Sequence, residues 1–169
     1  MAIHDSANPA NVRRSLEKYV VDSWVGTSGF PADFLSANVW YQGRKIATGG
    51  LDYFLRVSFD EIERLYSKAA DAGVPGYIVG ATMLLEVWAK RVKYDATPHT
   101  ADQAMAVLRG KLIRGTSIAI KNYDSGDGTT LLSYAVIEKI QPIKAPEDEV
   151  WYRQTVEASL TRHERDTAS

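Results

Sequence analysis

The chain contains no cysteine. That one absence excludes disulfides, thiol nucleophiles, iron–sulfur clusters and cysteine zinc sites together. It also accords with a reducing compartment. There is no excess of either charge: 20 Lys and Arg stand against 21 Asp and Glu, for a net charge of -1. A protein held to nucleic acid by a basic face carries a basic excess, and this chain has none overall; a local patch is a separate question. Long hydrophobic runs are also missing. The longest apolar-rich stretch, Tyr77 to Ala89, contains Glu86 and falls short of the roughly 20 residues a membrane helix needs. Met1 to Ser6 lacks a basic start followed by an apolar run, so it does not read as a signal peptide. A soluble chain made in the cytoplasm is expected.

What is present is a globular composition. The chain has 169 residues, 45% of them hydrophobic and 24% charged, enough apolar surface to offset chain entropy. One domain over 1–169 is expected, with a folded core over 9–160 and frayed ends at 1–7 and 161–169. Asn8 and Pro9 suit a helix start. Val12, Leu16, Tyr19 and Val20 then recur at helical spacing, which predicts an amphipathic helix over 9–24. Arg13, Arg14 and Lys18 form a basic stripe on its solvated side.

Strand patterns follow. Residues 38–41 and 45–47 flank Gln42-Gly43-Arg44 as a possible short hairpin. Leu51, Tyr53, Leu55, Val57 and Phe59 alternate with Asp52, Phe54, Arg56 and Ser58, the period of a strand with one well-buried face. From Asp60 to Ala72 the period changes: Ile62, Leu65, Tyr66 and Ala69 share a helical stripe. Tyr77 to Tyr94 reads as one long strand, or two broken at Gly80. Thr100 with Gln103 matches a capping box opening a helix to about Ile113. A short strand is expected over 116–121, a turn over 122–129, a strand over 131–143, and a last strand over 150–160 for which a helix stays open. Helical and strand periods mix without regular β-α alternation. That predicts an α+β fold, a mixed, largely antiparallel sheet with helices packed on one face.

No arrangement of residues dictates a chemistry. His4, His99 and His163 never stand three or four residues apart, as a helical metal site requires; exposed histidine is the plainer reading. Neither Gly26-Thr-Ser-Gly29 nor Gly126-Asp-Gly128 makes a phosphate loop. The run from Asp124 to Gly128 fails a calcium loop, because Gly126, Gly128 and Ala135 stand where ligands belong. Asp60-Glu61-Glu63 and Glu147-Asp148-Glu149 sit among turn and helix-start signals, where capping explains them more simply than catalysis. No GxSxG elbow supports a serine nucleophile. No catalytic residue, cofactor or metal site is assigned.

The remaining signal is apolar surface on both sides of a sheet. Phe54 and Trp88 fall on strand faces opposite the apolar ones, and a two-sided apolar strand needs a second cover, either a helix or a neighbouring subunit. If a neighbouring subunit is the cover, the candidate contacts are Phe54, Arg56 and Trp88, with Asp124 and Asp127 in the turn, within contact regions 49–59 and 122–130.

One comparison gives these features a common setting. An amino-terminal amphipathic helix, Asn11-Val-Arg-Arg-Ser-Leu-Glu-Lys-Tyr-Val20, leads into strands. The long strand Gly80 to Arg91 follows, then the helix Thr100 to Arg109, and the chain closes with Trp151 to Leu160. This order resembles the tail terminator, or tail completion, proteins of long-tailed bacteriophages, with 60–76 as an insertion. The resemblance covers element order and size rather than any motif. It implies a structural, non-enzymatic virion protein without cofactors. Such a subunit forms a homo-oligomeric ring of six at the head–tail junction and caps the tail tube. Its partners are the tail tube protein and a head-completion or neck protein. No membrane and no sequence-specific nucleic acid is involved, although DNA passes through such a ring. Another head–tail connector, or a small enzyme or ligand-binding α+β domain, stays open beside it.

Overall fold

The computed structural model describes residues 9–23, 30–34, 39–41, 48–67, 76–124, 128–144 and 148–165. The fold is α+β. Helix α1 (Pro9–Ser23) is followed by strands β1 (Val39–Tyr41), β2 (Tyr53–Ser67) and β3 (Gly76–Lys90). Helices α2 (Arg91–Ala96) and α3 (Pro98–Lys111) come next, then β4 (Ser117–Lys121), β5 (Leu131–Ile143) and β6 (Trp151–Arg165). The strands form a single sheet in the order β1-β2-β3-β6-β5-β4. Only the three-residue β1 runs parallel to its neighbour; the other pairings are antiparallel.

The period-two alternation decides which side of the sheet is dry. Tyr53, Leu55, Val57 and Phe59 of β2 stand opposite Ala89, Val87, Leu85 and Met83 of β3. Leu85 and Met83 in turn face Val156 and Ala158 of β6. All of these are buried, together with Ile118, Ile120, Ala135, Ile137 and Leu160 from the far strands. Helix α1 lays Val12, Leu16 and Val20 onto this face, and α3 adds Ala101, Ala104, Met105 and Leu108. Val20 and Leu108 meet Leu55, Val57 and Leu85 across a small gap. Contacts of α1 reach both β4 and β2, which lie far apart in the strand order. The sheet therefore curls around the helix.

Two polar side chains on the buried stripe of α1 hold the curl at its edge. Ser15 Oγ accepts the Lys121 N–H at 2.9 Å. Asn11 Oδ1 accepts the Tyr123 N–H at 2.9 Å, and its Nδ2 donates to Asp124 at 3.0 Å. Backbone donors at the end of the edge strand are thus satisfied by the helix. The basic stripe stays outward: Arg13, Arg14 and Lys18 are exposed, and the Arg14 guanidinium lies 4.9 Å from the Tyr123 ring centre. The following turn closes with Gly128 at φ 57, where a Cβ would stand 2.5 Å from the Tyr123 ring. Only glycine fits both the conformation and the space.

Four elements differ from the sequence expectation. Residues 60–67 are strand, not the start of a helix. A bulge between Glu61 and Glu63 inserts one residue and shifts the alternation, so Ile62 and Leu65 imitate helical spacing. Pairing with β3 then overrides the local pattern; residues 68–72 lie outside the described residues. The expected strand through Tyr94 ends at Lys90, and Arg91–Ala96 is helical. Thr97 stops that helix at φ -144 because Pro98 follows it. Helix α3 begins at Pro98, so Thr100 lies inside it and makes no capping box; the cap Thr97 forms no side-chain cap bond. The last strand runs on to Arg165 beside β3, past the frayed end expected from residue 161. The expected hairpin at 42–44 and the ends at 1–8 and 166–169 lie outside the described residues.

Leu16 is 1% exposed at the centre of the curl. Leu16→Ala should lower unfolding free energy by about 2–5 kcal/mol in denaturant titration. A loss under about 1 kcal/mol would contradict this placement of α1.

Candidate functional site

The outer face of the sheet carries a ladder of unlike residues. Register sets Phe54 opposite Trp88 and Trp88 opposite Arg153; one rung along, Arg56 faces Glu86. The Phe54 and Trp88 rings stack at 5.4 Å and 11°. Trp151 closes over both edge-on, at 5.1 Å from Phe54 and 6.4 Å from Trp88. Arg153 lies over the Trp88 ring at 4.9 Å, and its Nη1 donates to Glu86 Oε1 at 3.1 Å. Arg56 Nη1 approaches Glu86 Oε2 at 3.3 Å. Glu86 is 7% exposed. Each of its oxygens meets a guanidinium, which is the condition for keeping a carboxylate in so dry a place. Trp88 Nε1 is buried with no hydrogen-bond partner.

Beside this ladder the sheet opens. The last β5–β6 pair is Ile143 with Thr155, whereas β6 begins at Trp151. Residues 151–154 therefore have β3 on one side and, on the other, a cleft of about 460 Å³. Four cations reach it from four places: Arg91 on α2, Arg109 on α3, Lys144 after β5 and Arg153 on β6. Asp148 is the carboxylate among its described lining residues. Its Oδ1 accepts the N–H of Val150 at 2.7 Å and of Trp151 at 3.0 Å. The Trp151 and Val150 donors, in that order, hold its carboxyl below the usual carboxylate range, with the Arg153 charge adding to them.

Aromatic packing supports the cleft wall. Tyr152 stacks on Tyr94 at 3.4 Å and 13°. Their hydroxyl hydrogen bond, burial and mutual charge push the Tyr94 phenol well above its ordinary range. Gln154 Nε2 donates to Tyr152 Oη at 2.7 Å and to Asp102. Further out, Lys90 and Lys93 grip Asp52 at 3.0 and 3.2 Å. The hydrogen bonds from Lys90 and Lys93 lower the Asp52 carboxyl.

The structure brings together three of the five residues picked from the sequence: Phe54, Arg56 and Trp88. It also alters their meaning. Phe54 is 2% exposed within the single chain, because Trp151 and Trp88 already cover it. Trp88 is half-buried. Asp124 lies apart from this group, tied to Asn11 beside α1. Asp127 lies outside the described residues. Glu86, Arg153 and Trp151 do not stand out as a unit in the sequence. The signal was there, since Glu86 and Trp88 share one strand phase and Trp151 and Arg153 share another. Their pairing is a matter of register between strands more than 60 residues apart, which local periodicity does not carry. His99 is exposed on α3. Among the described residues no group of three or more His, Cys, Asp or Glu could hold a metal, and no described helix is long and apolar enough to cross a membrane.

No family model matches the chain, and no curated protein matches it. Among solved structures, one designated only by a sequence number is similar with a TM-score of 0.54 and 15% identity. The match covers 96% of this chain and 98% of that one. At that identity the likeness shows a shared fold across the whole chain and nothing of activity.

The depressed Asp148 carboxyl gives a signed pH dependence. Its stabilising effect is present above the unfolded carboxyl pKa of about 3.9 and is lost as pH falls through the lower folded value. The stability difference between wild type and Asp148→Ala should therefore be constant from about pH 7 to pH 5 and shrink below about pH 4. Thermal melts across that range check it; a difference that grows on acidification would contradict the assignment.

Proposed function

We propose that the chain is a structural subunit that assembles into a ring. Within that class it is a tail terminator, capping the tail tube at the head–tail junction of a long-tailed bacteriophage. The element order described above supports the reading. The observation that carries it is an apolar flank on the β4–β5 hairpin. Ser133 pairs with Ile120 while Leu131 pairs with Lys121, so the irregularity between them places Leu131 on the same outer face as Tyr134. Leu131 is 48% exposed and Tyr134 51%; Val136 continues the face. No described element covers this flank.

A ring joins two different patches of identical copies, so an apolar flank at one end of a sheet suits a heterologous contact that closes on itself. The charged ladder on β2, β3 and β6 presents a second, different surface, with Arg56 partly exposed at its margin. Such a subunit works by shape and charge, meeting further copies, the tail tube protein and a neck protein. Its place in the virion follows from that role.

Native mass measurement on concentrated protein, with imaging of assembled particles, tests the proposal. Wild type should form a ring of six, and Tyr134→Glu should weaken assembly at least tenfold, about 1.4 kcal/mol. A ring of twelve would favour a different head–tail connector. Copies that never touch, in solution or on the particle, would refute the reading.

A further inference from the structure

We propose that the cleft beside residues 151–154 binds a small organic molecule bearing two or more phosphate or carboxylate groups. The first ground is charge. Arg91, Arg109, Lys144 and Arg153 all line one concavity whose described lining includes a single carboxylate, Asp148. That carboxylate already accepts two backbone N–H groups. Arg91 has Asp95 at 3.5 Å and Arg153 has Glu86 at 3.1 Å. Arg109 and Lys144 have no carboxylate within 4.0 Å among the described residues. Like charges gathered in one concavity raise the local potential and draw in an anion.

The second ground is shape. A volume of about 460 Å³ lies in the range of small-molecule sites, roughly 300–1,000 Å³. The walls mix the cations with apolar surface from Met105, Pro142 and Ile143, as an organic anion requires. Arginine matches the planar fork of a carboxylate or phosphate, and Lys144 adds a point charge. The cleft is bounded by α3 on one side and the end of β5 on the other, and its volume suits a small ligand rather than a long chain.

The site is separate from the proposed ring contact. Tyr134 and Ile143 are nine residues apart on β5, about 30 Å along an extended strand. The two readings can therefore fail independently, and Tyr134→Glu should bind anions as wild type does.

The experiment is calorimetric titration of the full chain with inorganic pyrophosphate and, separately, with citrate. At least one should bind saturably at one site per chain; which of them binds distinguishes phosphate from carboxylate. The Arg109→Ser/Lys144→Ser double variant should lose at least tenfold in affinity with an unchanged circular dichroism spectrum. Lys144→Glu alone, at an exposed position beyond β5, should move affinity the same way and guards against a folding defect in the double variant. Arg13→Ser/Lys18→Ser on α1 should bind normally. The proposal is overturned if neither anion binds saturably or if the cleft variants bind as wild type. Equal loss in the α1 variant would also overturn it, as would binding of a glutamate-rich decapeptide with both small anions silent.

Discussion

Everything else in this molecule depends on one helix seated in the hollow of one curled sheet. A flat sheet could not present β4 and β2 to the same helix, because three strands separate them in the order β1-β2-β3-β6-β5-β4. Val12, Leu16 and Val20 are each at most 1% exposed, and burying side chains of this size stabilises by about 1.5–3 kcal/mol apiece. Apolar burial alone would tolerate sliding of the helix along the hollow. Asn11 and Ser15 remove that freedom, since both bond to backbone N–H groups at the β4 edge. They sit at 1% and 4% exposure, where an unsatisfied partner would cost about 1–3 kcal/mol.

A core gathered on the concave side leaves the convex side to other uses. There the Phe54–Trp88–Trp151 cluster and the Arg56–Glu86–Arg153 triad form a second, thinner layer, held by ring packing and charge. The triad spans three neighbouring strands and so links β2, β3 and β6 laterally. Arg153 belongs to both the triad and the cleft. Its guanidinium is held over Trp88 and against Glu86 on β3, so the strand that forms the cleft wall is tied rigidly to its neighbour.

The fold was largely legible in the residues, and its misreadings share a cause. Strict alternation identified β2 from Tyr53 to Phe59, and 3.6-residue spacing identified α1, because one dry face leaves a clean period. Where the ladder carries a bulge, at Glu61–Glu63, the period breaks and the spacing imitates a helix. The strand after Gly80 reads too far in the sequence because Val92 and Tyr94 are β-forming residues, whereas the chain turns helical at Arg91; Pro98 and its effect on Thr97 only separate that helix from α3. The candidate site was less legible. Phe54, Arg56 and Trp88 were picked because they oppose an apolar face. Their cover, Trp151 and Arg153, lies some 60 to 100 residues away, and register alone supplies it. The cleft exists because β5 ends before β6 begins, a length mismatch that no single segment reveals.

If α1 and the sheet are one cooperative unit, residue-resolved hydrogen exchange of the native protein shows it most directly. If the curl depends on the helix, the amides of residues 12–20 should exchange only through the same opening as those of β4 and central β6, with one shared free energy. If α1 instead exchanges at markedly lower free energy while β4, β5 and β6 stay protected, the sheet holds its curl without the helix. The helix would then not be what sets the curl.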